Sequence, residues 1–149
     1  MSINEKLMED MKAAMKSGDK LRLETIRGLR SQFKNTQIEK KRELTEEEEI
    51  QVLMSAAKKR KESIELFRSG NRPERAAEEE KELEIIQQYL PAQMGMDEVA
   101  ELVNRVIQDI GAVSIKDMGK VMGKMMPLVK GKADGKLVQE VVQKRLASL

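Results

Sequence analysis

Apolar residues recur along this chain at helical spacing, and no segment alternates as a half-buried strand would. Ser2 with Glu5 reads as a capping box, and it opens a first helix whose apolar face is Leu7, Met8, Met11, Ala14 and Met15. Ser17-Gly18 stops that run, and Asp19 is placed to cap a second helix carrying Ile26, Leu29 and Phe33 until the pattern fades near Leu44. Thr45 and Glu48 form another capping box, opening a third helix with Ile50, Leu53, Met54, Ala57 and Ile64 inward, ended by Gly70. Pro73 suits the first turn of a fourth helix, whose apolar side is Ala76, Leu83, Ile86 and Leu90.

Pro91 to Met96 contains a proline and a glycine and no charge, which marks a boundary. Beyond it Asp97 is expected to cap a helix bearing Val99, Leu102, Val103, Val106 and Ile110, closed by Gly111. Ser114 is expected to cap the next, with Ile115, Met118, Val121, Met122 and Met125 inward until Pro127. Asp134 is expected to cap the last, with Leu137, Val138, Val141, Val142 and Leu146. Three short amphipathic helices cannot bury their faces singly, so they should pool them in a small bundle. The pattern therefore predicts an all-α protein: an N-terminal helical, hairpin-type domain over residues 1–92 and a three-helix bundle over residues 93–149.

Composition narrows the chemistry. Charged residues make up 36% of the chain and aromatics 2%, which leaves aliphatic side chains to build the cores. With 40% hydrophobic residues and a net charge of only +2, the sequence reads as folded rather than disordered. It has no cysteine and no histidine, so thiolate nucleophiles, imidazole bases and the usual zinc sites are excluded. No glycine-rich phosphate loop follows a strand, and the lysines lie on open helix faces. No catalytic residue, metal ligand or cofactor site is expected. The N-terminal segment is charged and resembles no signal peptide, and no segment is apolar enough to span a bilayer, so a cytosolic protein with no membrane contact is expected.

The segment from Lys116 to Lys136 holds Lys116, Lys120, Lys124, Lys130, Lys132 and Lys136 against Asp117 and Asp134, six basic to two acidic residues. Lys116, Lys120 and Lys124 recur every four residues and so form one ridge, able to neutralise successive phosphates of a nucleic-acid backbone. A solvated face that keeps the protein soluble accounts for the same charges. Gly119 and Gly123 stand inside this helix, each at a cost of about 1 kcal/mol relative to alanine. Close helix–helix packing is the favoured compensation, and close approach of a phosphate or ribose to bare backbone is the functional one. Gly131 and Gly135 flank a helix start whose free amides suit an anion, although a cap and turn explain them as well. Arg27, Arg30, Lys34 and Lys41 share a face of the second helix, where their methylenes can also cover the core's edge. Glu78 to Glu80 have Arg75 and Lys81 within reach along the helix, and the methionines near residues 118–126 read as core.

The segments LRLETIRGLRSQFKNTQIEKKREL, KKRKESIELF, YLPAQM and KDMGKVMGKMMPLVKGKADGKLV resemble, in order and separation, the characteristic segments of the GatB/YqeY family. The resemblance covers nearly the whole chain and implies a bacterial, stand-alone member of the YqeY type. The same domain forms the tail of the B subunit of the tRNA-dependent amidotransferase acting on Glu-tRNA(Gln) or Asp-tRNA(Asn), where it is associated with binding the transfer RNA body. It implies transfer RNA as a partner, with a translation or aminoacylation protein as a further one. The family label, carbon–nitrogen ligase with glutamine as amido donor, belongs to catalytic parts that have no counterpart in this chain. A helical protein-interaction module without RNA affinity is the alternative. With Phe33, Phe67 and Tyr89 as the only rings, RNA contact should run through folded backbone rather than stacked single-stranded bases.

Overall fold

The computed structural model describes residues 1–149. It is all-helical: α1 (Ile3–Ser17), α2 (Lys20–Lys40), α3 (Glu46–Ser69), α4 (Pro73–Gln87), α5 (Met96–Ile110), a 3-10 turn (Ile115–Asp117), α6 (Met118–Val129) and α7 (Gly135–Ala147). No helix is long and apolar enough to cross a membrane. The chain divides into two compact units, Met1–Leu90 and Pro91–Leu149. Pro91 and Ala92 thus go with the second unit. Its opening segment is tied down there, since Gln93 Nε2 donates to the Gly131 carbonyl at 2.9 Å and Met94 N to the Lys132 carbonyl at 2.8 Å.

In the first unit the local signals at both capping boxes hold. Ser2 Oγ accepts from Glu5 N at 3.1 Å, and Thr45 Oγ1 accepts from Glu48 N at 3.2 Å. Glu48 does more than cap. Its carboxylate takes Lys40 Nζ at 2.7 Å and both Arg42 terminal nitrogens at 2.6 and 2.9 Å. These contacts close the α2–α3 connection and hold the Glu48 carboxyl far below the usual carboxylate range, Arg42 being the largest cause. α2 ends at Lys40, earlier than the fading pattern suggested, because Lys41 turns left-handed with φ 58°. The core is Leu7, Ile26, Leu29, Phe33, Leu53, Ala56, Ala57, Ile85, Ile86 and Tyr89, drawn from all four helices and the residues just after α4. Tyr89 donates its hydroxyl to Asp10, and burial with that carboxylate pushes the phenol's pKa up. The acidic run on α4 finds partners across the hairpin rather than beside it in sequence. Glu79 and Glu82 meet Arg60 of α3, and Glu80 meets Arg68, in place of the expected Arg75 and Lys81. Arg75 instead lies over the Phe67 ring, 6.0 Å from its centre.

The second unit packs α5, α6 and α7 around Val99, Val103, Val106, Ile107, Val121, Met125, Val129, Val138, Val142 and Leu146. It contains no aromatic ring. Two expected boundaries move. α5 begins at Met96 with Gly95 as N-cap, so Asp97 sits inside the first turn, where its charge still suits the helix dipole. Pro127 lies within α6, which runs on to Val129. The proline removes one helical hydrogen bond, yet Val129 is fully buried, and its packing carries the helix beyond the proline.

One charge is buried in the first unit. Glu49 is only 6% exposed, and its Oε2 accepts from Asn4 N at 3.0 Å, satisfying one of the open amides at the start of α1. Burial, the largest cause, raises its pKa. A carboxyl whose folded pKa is raised favours the protonated form in the native state, so stability falls as pH rises from the unfolded value through the folded one. Glu49→Gln keeps the acceptor and removes the charge. We expect it to be more stable than the parent at pH 7, with the difference vanishing below about pH 4, near the unfolded glutamate pKa. Urea titrations at the two pH values check this.

Candidate functional site

The lysine-rich segment is built on a turn and two helices. Ser114 opens a 3-10 turn rather than α6 itself. Its Oγ accepts from Lys116 N at 3.3 Å, while the Asp117 carboxylate accepts from Val113 N at 2.9 Å and Ser114 N at 3.3 Å. Those two amides, more than neighbouring Lys120, hold Asp117 below the ordinary carboxylate range. A negative charge fixed at the start of α6 suits its dipole and sets where the helix begins.

From that start, Val121, Met125 and Val129 point to the core, and Lys120, Lys124, Gly119, Gly123 and Pro127 point to solvent. Lys116 is exposed on the preceding turn, so the expected ridge consists of two lysines on α6, about 6 Å apart along its axis, and one on the 3-10 turn. None of the three is taken up by the unit's carboxylates in an ion pair, whereas Arg60, Arg68 and Arg42 of the first unit are paired. Met118 and Met122 are half-buried and Met125 fully buried, as core residues, but Met126 is 41% exposed.

The glycines separate into two kinds. A Cβ at Gly119 or Gly123 would meet no atom within 4 Å, so helix packing, the favoured sequence reading, does not account for either. Pro127 has no N–H, so the Gly123 carbonyl also lacks the helical donor four residues on. The outer side of α6 is thus low in relief, with bare backbone beside flexible ammonium groups. Gly131, by contrast, is buried with φ 75°, and its carbonyl accepts from Gln93, so its work lies in the turn. Gly135 is half-buried, with the Met126 methyl 3.5 Å from where a Cβ would stand. Lys130 caps the end of α6, Lys132 is exposed in the turn, and Lys136 is exposed at the start of α7.

On α2, Arg27, Lys34 and Lys41 are exposed, while Arg30 is half-buried with Nη1 3.5 Å from Met11 Sδ. Arg30 therefore covers the core's edge and stands apart from the other three. Gly28, inside α2, is a further helical glycine open to solvent with no atom within 4 Å of a Cβ, and it is not among the expected site residues. Its signal was the same as at Gly119, a glycine inside a helical pattern next to a basic residue.

No three acidic side chains gather to hold a metal ion. A shallow polar groove of about 210 Å³ between α2 and α3, lined by Gln32, Asn35, Ser55 and Lys59 among others, contains no carboxylate, and no hydrogen bond joins Ser55 to Lys59.

A family model described as Yqey-like protein matches residues 4–146. The chain is 30% identical over 142 residues to "Altered inheritance of mitochondria protein 41, mitochondrial" of Pyrenophora tritici-repentis, covering 93% of this chain and 77% of that protein. It is 36% identical over 121 residues to the protein of the same name in Lachancea thermotolerans, covering 76% and 65%. The chain thus spans about two thirds of the length of the latter relative. A shorter similarity, 39% over 67 residues, links 42% of this chain to 11% of a glutamyl-tRNA(Gln) amidotransferase subunit of Methanococcus maripaludis.

Because nothing packs on Gly119 or Gly123, alanine at either position should only gain helix propensity. We expect each substitution to raise stability in urea denaturation, by up to about 1 kcal/mol at Gly123 and by less at Gly119, which lies in the first turn of α6. A loss of stability at either would mean that a contact within the protein needs the glycine.

Proposed function

Since the chain belongs to the Yqey-like protein family and part of its length is similar to part of an amidotransferase, we propose that it is a transfer-RNA-binding accessory protein without a catalytic centre of its own. The observation that carries this reading is the outer side of α6, where Lys116, Lys120 and Lys124 stand free of ion pairs beside the open backbone of Gly119 and Gly123. Helical glycines with no packing role lower stability, and cations in a row attract a polyanion. Both features are accounted for at once by a sugar–phosphate backbone that lies against the helix. Lys130, Lys132 and Lys136 extend the positive charge towards α7, and the second unit carries nine basic and seven acidic residues. With no ring in that unit, contact runs through phosphate and ribose rather than stacked bases. A cytosolic setting and a partner from translation or aminoacylation are part of the same proposal.

One observation favours a protein partner instead. Ile115, Met126 and Leu128 are exposed around the same turn and helix, at 46%, 41% and 48%, and apolar side chains beside lysines suit an acidic protein surface.

The triple variant Lys116→Gln, Lys120→Gln, Lys124→Gln keeps good helix formers and removes three charges. In titrations of unfractionated transfer RNA at several salt concentrations, we expect the logarithmic salt slope to fall by about two to three units, with little change in preference among RNA sequences. A parent that binds and a triple variant with unchanged slope would remove α6 from the site. A parent with no RNA affinity at low salt would leave the protein-partner reading. The purified chain alone should also fail to convert Glu-tRNA(Gln) with glutamine, and turnover in a preparation free of other subunits would contradict the absence of a catalytic centre.

A further inference from the structure

A different helix, in the first unit, combines the same two features. Lys20, Arg27, Lys34 and Lys41 stand seven residues apart, from the first residue of α2 to its C-cap. Seven residues are close to two turns, so Lys20, Arg27 and Lys34 fall in one row about 10 Å apart along the axis, and Lys41 follows at the left-handed cap just beyond the last turn. All four are exposed, on the side away from the buried Ile26, Leu29 and Phe33. Several cations of this unit are taken up by carboxylates: Arg22 by Asp19, Lys40 and Arg42 by Glu48, Arg60 by Glu82 and Arg68 by Glu80. None of those pairs draws on the row. At about 10 Å, neighbouring charges are one screening length apart at 0.1 M salt, so they repel one another little and can stand without counter-charges.

Beside the row the helix surface is low. Gly28 is open to solvent with nothing within 4 Å of a Cβ, and exposed Ser31 follows one turn later. The acids on this exposed side, Glu24 and Glu39, flank the row and leave the six residues at a balance of +2. Ile38 is the one large exposed apolar residue on α2. A protein interface needs buried apolar anchors, and a single isoleucine does not supply them. A phosphate backbone needs spaced cations and access, and both are present.

We propose that the outer side of α2 is a second RNA-contact surface, meeting the sugar–phosphate backbone through Lys20, Arg27, Lys34 and Lys41 with Gly28 giving close approach. It rests on the reading of the chain as a transfer-RNA-binding protein and adds a surface on the other unit. The test uses the full chain and unfractionated transfer RNA over a range of salt, with three variants whose thermal midpoints are recorded: Arg27→Gln/Lys34→Gln/Lys41→Gln, the α6 lysine triple, and Gly28→Gln. We expect the α2 triple to lose about two to three units of salt slope and to bind roughly tenfold or more weakly at 0.1 M salt. Gly28→Gln should melt higher than the parent yet bind several-fold more weakly, opposite signs that a merely solvated face does not produce. If the parent binds, the α6 triple weakens binding and the α2 triple and Gly28→Gln leave affinity and slope unchanged, this inference is overturned while the function stands. If the parent binds no transfer RNA at low salt, both fall. If only the α2 variants weaken binding, the α2 surface is supported and the α6 assignment fails.

Discussion

Short helices in water do not hold themselves together, and everything in this protein follows from how few large side chains it has to prevent their melting. A helix of 12 or 13 residues such as α6 or α7 is marginal alone, so it persists only by burying its aliphatic stripe against two others. In the second unit that stripe is valine, isoleucine, leucine and one methionine, without a ring. A core this lean makes each buried position count. Val103→Ala or Val142→Ala would remove methyl groups from fully buried sites, at a cost on the order of 1 kcal/mol or more. Against that background, the two open glycines on α6, Gly123 in its interior and Gly119 in its first turn, are a stability loss that the fold itself does not explain.

The same constraint divides each helix into an inward side that must be apolar and an outward side free to carry charge. Where outward charges hold the fold, they are paired: Glu48 gathers Lys40 and Arg42 at the α2–α3 connection, and Arg60 gathers Glu79 and Glu82 across the α3–α4 hairpin. Where they are unpaired and sit beside open backbone, they are available to something outside the chain. Unpaired lysines occur on other helices too, so it is the open backbone of Gly28, Gly119 and Gly123 beside them that separates the faces of α2 and α6 from an ordinary solvated surface.

Most of the fold was legible because its signals are local. Ser2, Thr45 and Ser114 announce their elements through contacts that span three residues, and the apolar stripes name much of both cores, although Met8, Met15 and Ile115 are exposed and Ala56, Ile85, Tyr89, Ile107 and Val129 are core residues outside the stripes. Structure departs from the sequence pattern where two local chemistries compete or where a partner is distant in sequence. Asp97 suits an N-cap and a first turn equally, and Gly95 took the cap. Pro127 reads as a stop, but the burial of Val129 overrides it. Glu79 and Glu80 look to their own helix in the sequence and meet α3 in the structure. The candidate site was legible as charge but not as surface. Whether Gly119 and Gly123 face a neighbour or solvent depends on packing, and only the three-dimensional arrangement shows them open.

The central claim is that RNA lies against the outer side of α6, and the backbone amides of that helix report on it directly. In a nitrogen-15-labelled sample of the full chain titrated with unfractionated transfer RNA at low salt, the account predicts that amide signals of Gly119, Lys120, Gly123 and Lys124 shift or broaden first and most within the second unit. Binding of transfer RNA that leaves those four signals unmoved would contradict it.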